Sequence, residues 1–393
     1  MGTIDLVREI RELKNHLSYS KNIGFFFGAG TSCALGIPNI DQLTTEVRAM
    51  LDTKCQAQYD ALKKDLEPRV VGRTVNIEDI LNQNRRIREI TNESPSKKYL
   101  DICGETAKNL DKSICTAIYK IIMQKQAASS LDVPKRFFAW YNNLHQESTK
   151  EVFTSNYDLV IEKALEENAI PYFDGFVGAY EPFFWQESID KSIRQDDLTI
   201  NWIRLWKIHG SLSWFWKKTP TDSGFRILRI GKIKEIADEE NELVIYPSKE
   251  KYESSRKQPF VAYFDRLKQY LLSGELLFIV SGYSFSDQHI NEILFNSLRQ
   301  NNRLFVLSFF FRDEEIERLH KNSPAFMNMN CFGPKTGIIN GILGNWEVDL
   351  AALNLIGKID SFYDTAASAL TVGDFQKMVD FLIQTTGKSE KGI

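Results

Sequence analysis

Residues 24–38, Gly-Phe-Phe-Phe-Gly-Ala-Gly-Thr-Ser-Cys-Ala-Leu-Gly-Ile-Pro, carry an apolar run into a Gly-Ala-Gly turn and then into Thr31 and Ser32. The pattern predicts a buried strand over Ile23–Phe27, a tight turn, and a helix start. That is the layout of a nucleotide-phosphate cradle. Gly28 and Gly30 permit backbone angles and a ligand approach that a Cβ would hinder, and the helix start can turn free N–H groups toward a pyrophosphate. A glycine turn after a strand is also a common way to join strand to helix, so the rest of the chain has to separate the two readings.

Upstream, Ile4, Leu6, Val7, Ile10, Leu13 and Leu17 recur at helical spacing, which predicts an N-terminal helix within residues 1–20. Downstream, residues 42–148 read as a helical insertion, with candidate helices at Glu46–Leu66, Ile77–Ile90, Tyr99–Gln124 and Pro134–Leu144. So long an excursion exceeds what a simple crossover needs, and a separate helical layer or lobe is expected. Strands then resume at Glu151–Thr154, Ile203–Ile208, Leu243–Tyr246, Leu276–Ser281 and Arg303–Phe309. They alternate with helices at Leu159–Asn168, Phe260–Leu272, Gln288–Leu298 and Asp313–Leu319. Alternation of this kind predicts an α/β, Rossmann-like parallel sheet, with ligands gathering beyond the carboxyl ends of its strands. Residues 21–330 are read as one catalytic domain. Residues 331–393, in which Gly333–Gly344 reads as a Gly-rich loop, are taken as a C-terminal appendage with helices at Asp364–Leu370 and Asp374–Gln384.

The chain has 393 residues, 49 Lys plus Arg against 52 Asp plus Glu, and a net charge of −3. This balance gives no global reason to bind nucleic acid or an anionic membrane. The five cysteines, Cys33, Cys55, Cys103, Cys115 and Cys331, are scattered and odd in number, with no Cys-x-x-Cys pair. They read as reduced thiols, and no zinc site is expected. No uninterrupted apolar leader opens the sequence and no run approaches the roughly twenty residues that cross a bilayer, so a cytoplasmic protein is expected.

Polar clusters fall at the strand ends: Gly28-Ala-Gly-Thr-Ser32, Thr154-Ser-Asn-Tyr-Asp158, His209-Gly-Ser211 and Gly282-Tyr-Ser-Phe-Ser-Asp287. In order and spacing these resemble the sirtuin-like family over residues 20–310, and specifically its bacterial NAD-consuming members associated with defence against phage. The first cluster extends through Gly36-Ile37-Pro38. The second resembles the family's Thr-x-Asn-x-Asp element, the third its catalytic His-Gly pair, and the fourth its late Gly-x-Ser dinucleotide loop. The chain departs from the deacylase pattern in two places. It has no cysteine between Cys115 and Cys331, where such enzymes carry a small zinc module, and Lys217–Asn241 stands in that module's place. It also has Ile40 and Asp41 where they have Phe-Arg.

Cleavage of the nicotinamide–ribose bond passes through an oxocarbenium-like centre, which asks for a bent dinucleotide, an oriented nucleophile and a stabilised leaving group. Asn156 offers an amide donor and acceptor to orient a water or a ribose hydroxyl. His209 ends an apolar strand and titrates near neutral pH, which suits a base. The resemblance implies that Asp158 meets the nicotinamide carboxamide. It also implies that Gly28, Ala29, Gly30, Thr31, Ser32, Ile37 and Pro38 line the phosphate and ribose, and that Gly282, Ser284 and Asp287 border the distal nucleotide. For Thr31, Ser32, Asp158 and Asp287, helix capping is a competing role. The aromatic set from Tyr172 to Trp185 is expected as a lid or as a subunit contact, and Trp214 and Trp216 as core or interface.

The expected activity is NAD⁺ glycohydrolysis, with NAD as substrate, in an NAD-depleting effector of phage defence. The expected assembly is a homo-oligomer, working with a separately encoded HerA-type ATPase or short Argonaute. The alternatives are an NAD-dependent protein deacylase and a non-catalytic NAD- or ADP-ribose-binding subunit.

Overall fold

Phe25, Phe26 and Phe27 are at most 1% exposed, and each such burial contributes about 1.5–3 kcal/mol. Their side chains alternate between two apolar clusters, Phe25 and Phe27 in one and Phe26 in the other. The strand they form is therefore covered on both faces, as parallel sheets require. The computed structural model describes residues 2–91, 96–190, 202–218, 225–231, 242–245 and 259–386.

The strands, in chain order, are β1 (Gly2–Asp5), β2 (Ile23–Phe27), β3 (Lys98–Tyr99), β4 (Ile102–Cys103), β5 (Glu151–Thr154), β6 (Tyr172–Phe173), β7 (Phe176–Val177), β8 (Phe183–Phe184), β9 (Ile203–Lys207), β10 (Gly210–Lys218), β11 (Phe225–Arg229), β12 (Glu242–Ile245), β13 (Leu276–Ser281), β14 (Leu304–Phe309), β15 (Met329–Phe332), β16 (Thr336–Ile339) and β17 (Ile342–Glu347). Ten of them form one sheet in the order β1-β17-β16-β15-β14-β13-β2-β5-β9-β6. From β15 to β6 every neighbouring pair is parallel. This is the expected Rossmann-like α/β architecture. Helices Leu6–Tyr19, Asp132–Asn143, Val160–Glu167 and Phe375–Thr386 cover one face, and Phe260–Leu271, Gln288–Gln300 and Asp313–Asn322 cover the other. A second sheet of five strands, β12-β10-β11-β8-β7, is antiparallel.

Helices Ile40–Met50, Thr53–Leu66, Ile77–Thr91 and Gly104–Ala128 pack into a third apolar cluster, which also takes in Leu159, Val160, Leu212 and Phe215. The helix expected over Glu46–Leu66 is two helices. Asp52 breaks it, its carboxylate accepting from the Cys55 amide at 2.8 Å and so capping a new start. The helix expected from Tyr99 begins at Gly104, because Leu100 and Asp101 adopt left-handed φ of 51° and 58° in the turn between β3 and β4.

The C-terminal segment departs from an appendage. The stretch Gly333–Gly344 is not a loop: β16 and β17 extend the main sheet antiparallel, and β1 closes on β17 in parallel. Helix Phe375–Thr386 packs in the same cluster as Phe25 and Phe137. The helix expected over Asp364–Leu370 is a two-stranded pairing of Tyr363 and Asp364 with Leu370 and Ala369. The segment expected as an N-terminal helix opens with β1, and Asp5 caps the helix that follows through the Val7 amide at 2.9 Å.

Among the described residues no helix is long and apolar enough to cross a membrane. Most of Lys217–Asn241 lies outside the described residues, as do Tyr246 and the tail from residue 387.

Candidate functional site

Strand register sets the site. Ser281 pairs with Phe27, Phe27 with Thr154, and Thr154 with Lys207. The residues that follow each of these therefore leave the sheet at one carboxyl edge, side by side, and these are the four polar clusters of the sequence.

The first and last clusters interlock. Gly28 N donates to Ser281 O at 2.9 Å and Gly30 N to Gly282 O at 2.8 Å. A Cβ on Gly30 would lie 2.7 Å from Gly282 Cα, and one on Gly28 2.7 Å from Tyr283 Cα. Gly282 itself has φ +66° and a Cβ there would run into the Thr31 amide nitrogen. The close approach these glycines allow is thus between two loops of the chain, a different reason from the phosphate contact that the sequence suggested. Ala29 and Gly30 are exposed at the turn.

Asn156 binds this knot from the neighbouring strand. Its Nδ2 donates to Gly28 O at 3.0 Å, Thr31 Oγ1 at 3.1 Å and Ser32 Oγ at 2.8 Å. Oδ1 is the amide's remaining polar atom. Thr31 Oγ1 donates to Gly28 O at 2.8 Å, and Ser32 Oγ to Asp158 Oδ2 at 2.6 Å. Asp158 Oδ1 accepts from the Val160 amide at 3.1 Å alongside the Ser32 contact, but the N-cap position of the helix Val160–Glu167 belongs to Leu159.

His209, two residues past β9, reaches across to the fourth cluster: its Nε2 lies 3.0 Å from Asp287 Oδ2. Asp287 Oδ1 meanwhile accepts from the amides of His289 at 2.8 Å and Ile290 at 3.1 Å, capping the helix Gln288–Gln300. Burial pushes the His209 imidazole down, but the Asp287 hydrogen bond and charge, with the charge of Glu78, carry it above its ordinary 6.5. Burial pushes the Asp287 carboxyl up, and the His209 bond and charge with the two helix amides hold it down at about 2. The stabilisation from this pair is therefore fully present between 3.8 and 6.5, the ordinary values of the two groups. It is lost as pH rises through the raised imidazole value and as pH falls through about 2.

Gly28, Thr31, Ser32, Asn156, Asp158 and Gly282 thus form one hydrogen-bonded knot, with the His209–Asp287 pair on the adjoining strand ends. Ile37 faces the helical cluster at 5% exposure, with Pro38 half-buried beside it, and Ser284 turns its hydroxyl to Ser286 Oγ at 3.0 Å. The aromatic stretch forms β6, β7 and β8. Phe176 packs 5.2 Å from Trp214 and Phe184 5.7 Å from Tyr263, within the chain's own core, while Tyr180 is exposed.

Sequence reasoning passed over Lys207, Glu162 and Glu78. Lys207 Nζ donates to Asp158 O and to Glu162 Oε1 at 2.7 Å. Glu78, on the helix Ile77–Thr91, acts electrostatically on His209 and Asp287, and burial raises its carboxyl. A lysine closing the strand Ile203–Lys207 was the visible signal for the first; nothing in the local pattern marks the two glutamates. Among the described residues no group of three or more His, Cys, Asp or Glu is placed to hold a metal ion.

Residues 150–326 match the family model described as SIR2-like domain. The match includes Asn156, Asp158, His209 and Gly282–Asp287, and leaves out the Gly28–Ser32 turn. A search of curated proteins returned no match. Among solved structures, a Sir2 homolog–NAD complex is 13% identical with a TM-score of 0.40, covering 78% of this chain and 83% of its own. Sir2Tm bound to a propionylated peptide is 10% identical with a TM-score of 0.38, covering 77% and 86%. By the family match, residues 150–326 of this α/β chain are similar to a SIR2-like domain.

Proposed function

We propose that the chain is an NAD⁺ glycohydrolase: NAD⁺ and water give nicotinamide, ADP-ribose and a proton. The observation that carries this reading is the pairing of Thr154 with Lys207, which sets Asn156 and His209 two residues past the ends of adjacent parallel strands, beside the Gly28–Gly282 knot. Asp287 accepts from Nε2, which leaves Nδ1 of a neutral His209 as the basic nitrogen. In the proposed reaction that atom takes a proton from the attacking water or a ribose hydroxyl, while Asn156 Oδ1 orients the same oxygen. The dinucleotide would lie across the exposed Ala29–Gly30 turn, and Asp158, already bonded to Ser32, would meet the carboxamide.

Hydrolysis is favoured over protein deacylation because no cysteine lies between Cys115 and Cys331, so the paired-cysteine zinc module of deacylases cannot form there. The role in phage defence, self-association, and partnership with a HerA-type ATPase or a short Argonaute belong to the same proposal and are supported by the family resemblance. An activity that empties a cell of NAD has to be held dormant, and a partner is the simplest switch.

Purified protein, alone and with candidate partners, is expected to convert NAD to nicotinamide and ADP-ribose, followed by chromatography, and to leave a labelled acyl-peptide untouched. Acyl transfer to ADP-ribose would instead establish the deacylase. Tight ADP-ribose binding with intact NAD would establish a binding subunit. A pH series gives a sharper test. With His209 acting as a base whose value lies above 6.5, turnover falls on the acid side with a limb above pH 6.5. In Asp287→Asn the carboxylate is lost and burial remains, so the limb moves to lower pH. A limb that stays in place would separate His209 from the proton transfer.

A further inference from the structure

The end of β9 holds a cation that the proposed reaction does not use. Lys207 is 2% exposed, and its Nζ donates to the Asp158 carbonyl and to Glu162 Oε1 at 2.7 Å. Glu162 lies in the first turn of the helix Val160–Glu167, and its buried Oε2 has no hydrogen-bond partner. As a device for stability this arrangement is poor. A buried ion pair is often no better than apolar residues of the same volume, which would leave no polar atom unsatisfied. What an apolar pair cannot do is grip the Asp158 peptide.

That peptide is a junction. Its carboxylate takes the Ser32 hydroxyl at 2.6 Å and the Val160 amide at 3.1 Å, and its carbonyl takes Lys207. One residue earlier, the Tyr157 carbonyl accepts from the Leu212 amide at 2.8 Å. The 155–158 loop is therefore tied on one side to the β2 turn. On the other side it is tied to both flanks of His209, through Lys207 before it and Leu212 after it.

We propose that Lys207 is a positioning residue that sets the spacing between the Asn156–Asp158 loop and His209. Its geometric part stands on the contacts above; its consequence for turnover rests on the glycohydrolase reading. Lys207 touches neither substrate nor reacting atoms in this account, and acts through the Asp158 carbonyl alone.

Lys207→Met by itself would strand the Glu162 charge in the interior and could unfold the protein, so the decisive variant is Lys207→Met combined with Glu162→Leu. This double variant is expected to keep a wild-type melting temperature or a higher one. Its Ser155–Val160 amides are expected to exchange with solvent about tenfold faster or more, the loss of one hydrogen bond from a charged donor, while those of β2 and β13 keep their rates. In NAD hydrolysis kcat is expected to fall about tenfold or more with KM within about threefold, since misplacement weakens the transition state more than binding. Unchanged exchange in that loop, or unchanged kcat, overturns the proposal. If the wild-type protein leaves NAD intact with every partner, the hydrolase reading fails and the exchange rates still decide the role of Lys207.

Discussion

His209→Ala is expected to lower NAD turnover by about 10²–10⁴-fold, the range for removing a general base, with little change in melting temperature at a pH above the raised imidazole value, where the stabilisation from its pairing with Asp287 is already lost. The side chain is only partly buried and its partner Asp287 keeps both helix amides after the change. Asn156→Ala is expected to abolish turnover as well, but by a second route. It removes the hydrogen bonds that Nδ2 makes to Gly28, Thr31 and Ser32, each contributing about 0.5–1.5 kcal/mol. Stability should therefore fall in the asparagine variant and hold in the histidine variant. Chromatography of NAD and a denaturant titration on the same preparations read both. Wild-type rates in either variant would remove that residue from the reaction.

The second large effect is on the fold. Gly282→Ala forces a Cβ into the Thr31 amide and to 2.9 Å from Gly30 C, at a φ of +66° that side chains rarely adopt. The dihedral alone costs about 1–3 kcal/mol, and two backbones have to separate as well. A total above about 3 kcal/mol is expected, with loss of the Gly30–Gly282 hydrogen bond and of whatever the turn binds. Gly36→Ala provides the contrast. It has φ +82° but open space around it, so only the dihedral cost applies. Equal melting temperatures for the two variants would show that interlocking of the loops is not what the glycine serves.

The central strands were legible because both of their faces are buried and, Glu151, Thr154 and Ser281 aside, carry no polar side chain. Ile23–Phe27, Glu151–Thr154 and Leu276–Ser281 have the bounds read from sequence, since a parallel strand under two helical layers has no polar face to blur it. The C-terminal strands were not legible, because their glycines imitate a loop. A Cβ on Gly337 would run into the Trp346 ring, and one on Gly344 would lie 2.8 Å from Ile4 Cγ1. Gly337 makes room for a ring from the facing strand of its own hairpin and Gly344 for a residue at the far end of the chain, and neither need is written in the run of glycines itself. The same limit applies at the site. The order of the motifs gave the strand ends, but that Asn156 would turn its amino group into the Gly28 turn, or that Lys207 would grip Asp158, depends on register between strands.

Leu159, Val160, Leu212 and Phe215 are buried among the helices between Ile40 and Ala128, and the Leu159 amide donates to Gln126 Oε1 at 2.7 Å. The flanks of the asparagine loop and of the imidazole thus share one apolar cluster with that helical layer. Melting of the outer helices would therefore bare the backs of both loops to water while the central sheet is still folded.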